Sequence, residues 1–348
     1  MSLTIKPADV VQRVELYFEG GVTEYLSKDE RRMARQASLG CQKNQQRNKP
    51  LDFFVFREAS ERQVRMTPKY PGGYEQRGIV ICGGGPRYFP CLWVCVQMLR
   101  QFGCKLPIQV WHLGSREMDE RMKSLLAPFG VETVDAEAVR QEHPVRRLGG
   151  WELKSYAIMR CPFREVMLLD ADNVPVCNPD YLFETKEYRK TGAVFWPDLG
   201  RFSKSNPIWD ICGVEYRSEP EFESGQILVD KKRCWKALSL ALWYNEHSDF
   251  YYRYIHGDKD TFHLAFRKVE KTYAMPSRPA QMLENLVFCQ HDFDGEWVFQ
   301  HRNRSKWSLW RQNRRIPDFW HDDECLLHLE QLRSIWDGRI SPDQKVEL

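Results

Sequence analysis

Net charge, paired cysteines and long apolar runs are scarce in this chain, and each shortage closes off a class of function. Lys and Arg number 51 against 48 Asp and Glu, a net charge of +3 over 348 residues. No strong field is available to hold nucleic acid or a membrane surface. The 11 cysteines include no CxxC pair, so zinc-site spacing is absent. Cys82, Cys91, Cys95, Cys161 and Cys289 sit in apolar runs and read as buried reduced thiols, which favours a reducing compartment. No run approaches the roughly 18 apolar residues of a membrane helix. The first thirty residues carry charges throughout and lack the apolar centre of a signal peptide. A cytoplasmic chain without a membrane segment is the expectation.

Two nucleotide motifs are also missing. Gly83-Gly84-Gly85 is followed by Pro86, Arg87, Tyr88 and Phe89, so GxGxxG is not completed. There is no GKS or GKT. A dinucleotide fingerprint and a P-loop are both set aside, and the glycines read as a tight turn.

What is present is a composition ordinary for a globular enzyme: 42% hydrophobic and 28% charged, with 13% aromatics and twelve Trp. Residues 1–75 read as a helical lead-in, with helices over 7–26 and 27–35, a polar loop over 42–50 and an edge strand over 51–57. From residue 78 strands and helices alternate. Strands are expected over 78–82, 107–113, 131–134 and 165–169. Helices are expected over 88–102, 115–129 (capped by Ser115) and 151–159. That rhythm predicts an α/β fold with a mostly parallel central sheet flanked by helices. Ligands of such sheets bind beyond the carboxyl ends of the strands, where Gly83 and Asp170 both fall. Further on, residues 192–196, 227–229 and 297–299 read as strands. Residues 231–245, 257 onward and 321–336 read as helices, and 200–220 as an aromatic substrate loop. The expected division is 1–75, a catalytic domain over 76–320, and a terminal helix and tail over 321–348.

The chain is organised around Val166-Met167-Leu168-Leu169-Asp170-Ala171-Asp172-Asn173. Four apolar residues of a buried strand run into two aspartates spaced by one. Side chains at i and i+2 of an extended segment point the same way. The pair would present hard oxygen ligands to a divalent cation carrying phosphate oxygens. The plain alternative is a strand-to-turn junction, where Asp and Asn are common. Glu223 and the Asp258/Asp260 pair recur near other element ends, and an N-cap role for Asp258 is the simpler account of that residue alone. The segment from Arg302 to Arg315 interleaves bases with Trp307 and Trp310, which could be a solvated face or an RNA contact. The small net charge speaks against RNA.

In order, these blocks resemble the fungal-type α-1,3-mannosyltransferase family, glycosyltransferase family 71. The blocks are Gly150-Trp151-Glu152-Leu153-Lys154-Ser155-Tyr156-Ala157-Ile158, Leu169-Asp170-Ala171-Asp172-Asn173, Gly192-Ala193-Val194-Phe195-Trp196, Glu223-Ser224-Gly225-Gln226 and Gly257-Asp258-Lys259-Asp260-Thr261-Phe262. The chain is more distantly similar to glycosyltransferase family 8. The resemblance covers about residues 76 to 310. It implies a GT-A type nucleotide-sugar-binding domain with an N-terminal helical extension, and a retaining hexosyltransferase using Mn²⁺, with Mg²⁺ as second choice. Asp170, Asp172 and His301 would hold the metal. Gly83, Gly84, Lys154, Ala171, Ser224, Gly225, Gln226, Asp260 and Lys306 would bind the donor with the two aspartates. Asp258, Lys259 and Glu223 would carry catalysis, Asp258 or Glu223 being the candidate for a nucleophilic carboxylate. Family 8 places Gln where Lys259 stands, so no Gln-based mechanism transfers. The implied donor is GDP-mannose, with a UDP-hexose as alternative, and the implied acceptor is a glycan or glycoconjugate. The resemblance also raises the Golgi lumen as the alternative location, against which the odd cysteine count and a sequon at Asn303, beside His301, both speak. A non-catalytic glycan- or RNA-binding module, and a structural protein whose acidic pairs are caps, are the competing readings.

Overall fold

The structure, a computed structural model, describes residues 49–340. The helices expected over 7–26 and 27–35 lie outside the described residues. Two compact units are present. The first contains, among the described residues, 49–67 and Ser205–Tyr216. Its long element is helix α1, Lys49–Met66, and not an edge strand over 51–57. The run Phe53-Phe54-Val55-Phe56 suits either state, but burial at Phe56, Ala59 and Ser60 has the three-to-four spacing of a helix face. The other segment holds a short helix, Ile208–Cys212, closed by Gly213 at φ 59°.

The second unit, Pro68–Lys204 with the residues from Arg217 onward, carries the strands. They are β1 Glu75–Cys82, β2 Ile108–His112, β3 Val131–Asp135, β4 Phe163–Asp170, β5 Asn173–Pro175, β6 Ala193–Pro197, β7 Phe222–Asp230, β8 Gln281–Leu283, β9 Val287–His291 and β10 Trp297–His301. The main sheet has the order β3-β2-β1-β4-β7-β6. β1 to β4 pair in parallel, and β7 runs antiparallel between β4 and β6. The mostly parallel sheet is therefore as expected. Two details differ. Glu223-Ser224-Gly225-Gln226 lies inside β7 and does not lead into it. The order β5-β10-β9-β8 forms a second, antiparallel sheet that strand periodicity did not reveal.

The helices that cover the sheet are α2 Gly85–Gln101, α3 Glu120–Leu126, α4 Glu152–Arg160, α5 Lys231–Glu246, α6 Asp258–Lys268 and α7 Asp322–Ile335. α2 starts at the glycine turn with Pro86 in its first turn, where a missing N–H costs nothing. α3 starts later than expected, because its cap is Asp119 and not Ser115: the Asp119 carboxylate accepts from Met122 N at 2.8 Å. Ile79, Ile81, Met167 and Leu169 from the sheet pack with Leu92, Cys95 and Met98 of α2. Cys325, Leu329 and Leu332 of α7 join the same core, and Trp93 Nε1 donates to His328 O at 2.9 Å. The terminal helix thus packs within this unit. Truncating one such core residue to Ala would cost about 2–5 kcal/mol.

One register fixes the site. Cys82 of β1 lies opposite Asp170 of β4, so the glycine turn and the aspartates leave the sheet side by side.

Candidate functional site

A cavity of about 460 Å³ opens at that edge. Gly83 and Gly84 line it after β1, and Asp170, Ala171 and Asp172 after β4. Glu223 and Ser224 enter from β7, Lys154 from α4, Asp258 and Lys259 from α6, and His301 and Lys306 from the end of β10.

Asp170 is the last residue of β4, and Asp172 sits in the tight turn into β5. The turn, not an extended i, i+2 geometry, aims both carboxylates at one place. β10 pairs antiparallel to β5 with His301 opposite Asn173, and Arg302 N donates to Asp172 O at 2.9 Å. This pairing brings His301 beside the aspartates. His301 Nε2 lies 3.2 Å from Asp172 Oδ1 and 3.7 Å from Asp170 Oδ2. One ligand atom from each of the three lies within 4.8 Å of the others. Two carboxylates and an imidazole fit a divalent cation of borderline softness.

Cations brace the cluster. Lys154 Nζ is 2.8 Å from Asp170 Oδ1 and 3.5 Å from Asp258 Oδ2, and donates to Ser224 O and Oγ at 3.2 Å. Lys306 Nζ bonds to Asp172 and donates to Asn303 O at 3.1 Å. Burial pushes the Asp170 carboxyl above its ordinary range, against the pull of Lys154. Burial acts on Asp172 too, but His301 and Lys306 outweigh it and hold that carboxyl far below the usual range. Burial opposes charge on His301 as well. Asp172 and Glu223 overcome it and carry the imidazole up to about 10.

Glu223 stands behind the histidine. Its Oε1 accepts from His301 Nδ1 at 3.1 Å and from Gly225 N at 2.8 Å, and its Oε2 accepts from Gln226 Nε2. Gly225 is glycine for want of space: a Cβ there would stand 2.5 Å from His301 Nδ1. Gly83 and Gly84 are similarly packed, with Cβ positions 2.8 Å from Ala171 Cβ and 2.6 Å from Glu117 O. Only Gly85 of the three has a positive φ, 72°.

Most of the residues expected at the site share this cavity. Gly225, Gln226 and Asp260 do not line it. Gln226 bonds to Glu223 and to Asn173. Asp260 is fully buried, accepting from His256 N at 2.7 Å and from Lys259 Nζ at 3.1 Å. Lys259 does line the cavity, but its ammonium is held by Glu221, Asp198 and Asp260. Asp258 Oδ2 has no hydrogen-bond partner despite burial. Of the span read as a substrate loop, residues 200–204 and 217–220 do not line the cavity. Sequence reasoning passed over Tyr88, Leu113, Glu117, Trp151, His256 and Asn303, all on its wall. Tyr88 follows the glycine turn and Trp151 precedes Lys154 by one helical turn, signals that proximity along the chain could have supplied.

A buried carboxylate–carboxylate–histidine cluster, ringed by lysines at the carboxyl ends of parallel strands, sits in a fold shared with GT-A glycosyltransferases. An active-site mutant of LgtC superposes with a TM-score of 0.51 at 13% identity, over 75% of this chain and 100% of that one. Residues 76–219 and 214–296 match the Mannosyl_trans3 family of mannosyltransferases, and the chain belongs to that family. It is 29% identical over 238 residues to the α-1,2-mannosyltransferase MNN24 of Candida albicans, covering 56% of this chain and 33% of the relative. It is 26% identical over 286 residues to the α-1,2-mannosyltransferase MNN5 of Saccharomyces cerevisiae, covering 64% and 48%. The chain thus spans about a third to a half of the length of these curated relatives. Both carry α-1,2 in their names, where the sequence resemblance suggested α-1,3. Among the described residues no helix is long and apolar enough to cross a membrane.

Proposed function

We propose that this chain transfers mannose from GDP-mannose to a hydroxyl of a glycan, with retention at the anomeric carbon and with Mn²⁺ as the metal (Mg²⁺ being second choice). The observation that carries the reading is the convergence of Asp170, Asp172 and His301 on one point in a chain of a mannosyltransferase family. The relatives' names favour an α-1,2 bond over α-1,3.

Asp170, Asp172 and His301 would hold the metal, which when bound neutralises charge on the departing diphosphate. Lys306 supplies a further positive charge at the same place. Glu223 fixes the tautomer and direction of His301. Gly83 and Gly84 let the β1 turn lie close under the donor. Glu223 already accepts from His301, Gly225 and Gln226, whereas Asp258 Oδ2 has no hydrogen bond, which favours Asp258 as the carboxylate to meet the donor sugar. It accepts a sugar hydroxyl there, and Lys154 holds it in place through the ion pair they share. In a front-face path the acceptor oxygen bonds to the anomeric carbon as the bond to the phosphate oxygen breaks. The acceptor proton passes to that departing phosphate oxygen. The chain's part is alignment of the two reactants.

The test is a thermal-shift panel of GDP, UDP and their sugars with Mn²⁺, followed by turnover. GDP with Mn²⁺ should raise the melting temperature more than either alone, and GDP-mannose should yield an α-linked product. Stabilisation by UDP instead moves the donor to a UDP-hexose. No stabilisation and no turnover of any donor would leave a binding module. For location we propose a reducing compartment, on the ten described cysteines, all free. An N-glycan detected on Asn303 would place the chain in the Golgi lumen instead.

A further inference from the structure

Trp151 is half exposed, yet it lines the cavity. It stands at the start of α4, where its carbonyl accepts from Lys154 N at 3.2 Å. Its ring lies 5.8 Å from that of His256 and 6.1 Å from that of Tyr252. Its six-membered ring presses on Gly257, where a Cβ would come within 2.7 Å of Cε3. Gly257 also has φ 79°, so both its backbone and its lack of a side chain serve this contact. The indole is therefore held in place on one side and open on the other. A large aromatic surface left wet in a cavity that carries several charged groups, with its position fixed, has the properties of a ligand platform.

Contacts order the cavity from end to end. Lys306 meets Asp172, Lys154 joins Asp170 to Asp258, and Asp258 follows Gly257, on which Trp151 rests. The indole is thus linked to the aspartates through Gly257 and Asp258, and its own neighbours are His256 and Gly257 rather than a carboxylate or an ammonium. Diphosphate chemistry belongs to the charged end. What fits an indole beside ring nitrogens is a pyranose, whose C–H face is apolar and whose edge carries hydroxyls.

We propose that Trp151 is the stacking platform for the acceptor sugar, a hexopyranoside laid with its C–H face on the indole and its attacking hydroxyl turned toward Asp258. The role of acceptor, as opposed to any bound sugar, rests on the mannosyl transfer proposed above. Trp151 forms the ring-binding part of that subsite, and Gly257 sets its height.

Two measurements test this. Saturation-transfer NMR with methyl α-D-mannopyranoside, in the presence of GDP and diamagnetic Mg²⁺, should show transfer to the sugar's C–H protons on irradiating the aromatic region. W151A should lose that signal and W151F should keep part of it. In turnover, W151A should raise the KM for the mannoside by about tenfold, as expected for one lost aromatic stack. The KM for GDP-mannose and the rate of its hydrolysis by water should stay at wild-type levels. Equal sugar signals in wild type and both variants would overturn the platform. So would a wild-type KM for the mannoside in W151A, or an equal loss of GDP-mannose hydrolysis. Absence of GDP-mannose turnover in the wild type would instead count against the donor reading, and the NMR comparison would still decide the indole's role.

Discussion

His301 Nδ1 and Glu223 Oε1 are 3.1 Å apart, and the same oxygen accepts from Gly225 N at 2.8 Å. With Nδ1 turned to Glu223, Nε2 is the nitrogen that faces Asp172 and Asp170. A carboxylate behind a ligating histidine sets its tautomer and raises its basicity. Glu223→Gln keeps an acceptor but removes the charge. Mn²⁺ affinity, read by titration calorimetry, should fall about tenfold or more. Unchanged affinity would mean that Glu223 does not act through His301.

Metal binding should expel a proton. The metal-free imidazole is pulled down by burial, but Asp172 and Glu223 carry it up to about 10. Ligation by Nε2 needs the neutral ring. Below pH 10 the free site is therefore protonated, and apparent affinity should rise with pH toward that value. Calorimetry in buffers of different ionisation enthalpy should report about one proton released per Mn²⁺. Binding heats that do not depend on the buffer would mean that His301 is neutral in the free site or does not ligate the metal.

Gly225→Ala separates geometry from charge. The added methyl would stand 2.5 Å from His301 Nδ1 and 2.7 Å from Glu223 Oε1. One of them must move, and overpacking of this kind costs about 1–3 kcal/mol. The variant should remain folded and bind Mn²⁺ at least about tenfold more weakly, since the misplaced ligand bears the cost. A wild-type metal titration would show that the strand relaxes instead.

The aspartates were legible because local rules sufficed: an apolar strand, a turn, and a glycine turn in register beside it. His301 was reached only through resemblance. Its place depends on β5 pairing with β10, and a three-residue strand such as Asn173–Pro175 is too short to leave a period. The helix over Lys49–Met66 was misread because a four-residue apolar run carries no helix-or-strand signal by itself. Ser115 lost the cap to Asp119 because residues 113–118 close a turn of their own, Leu113 N donating to Glu117 Oε2 at 2.8 Å. Asp260 reads like Asp258 in sequence, but at two residues' distance on a helix its side chain faces another way, and it is buried against Lys259.

Asp258 and Glu223 make opposite predictions for chemistry. Asp258 Oδ2 is buried without a hydrogen bond, 3.5 Å from Lys154 Nζ. Asp258→Asn should lower turnover by about 10²–10³-fold, the scale for losing one preorganised polar contact to a reacting centre. Binding of GDP with Mn²⁺ should be nearly unchanged, because Asp170, Asp172 and His301 are intact. Equal losses of nucleotide binding and turnover would place Asp258 in the metal site's support instead.

A last prediction concerns stability away from the cavity. Lys231, the first residue of α5, is fully buried. Its Nζ donates to Cys161 O at 2.6 Å and lies 3.6 Å from the centre of the Tyr74 ring, with no carboxylate among its bonded partners. Burial lowers its pKa to about 8, from 10.5, although Cys161 works the other way. The unfolded chain therefore holds more protons than the folded one between about pH 8 and 10.5. Stability must rise with pH across that window and level off below it, where both states are charged. The full change is on the order of 3 kcal/mol, from 1.36 kcal/mol per unit. Lys231→Met, of similar length and without charge, should be the more stable protein at pH 7 and should lose the slope. The measurement is chemical denaturation at pH 7, 8, 9 and 10 without metal, so that titration of His301 is common to both proteins and cancels in their difference. Parallel stability curves for wild type and variant would show that Lys231 keeps its charge in the fold, held by the Cys161 carbonyl and the Tyr74 ring.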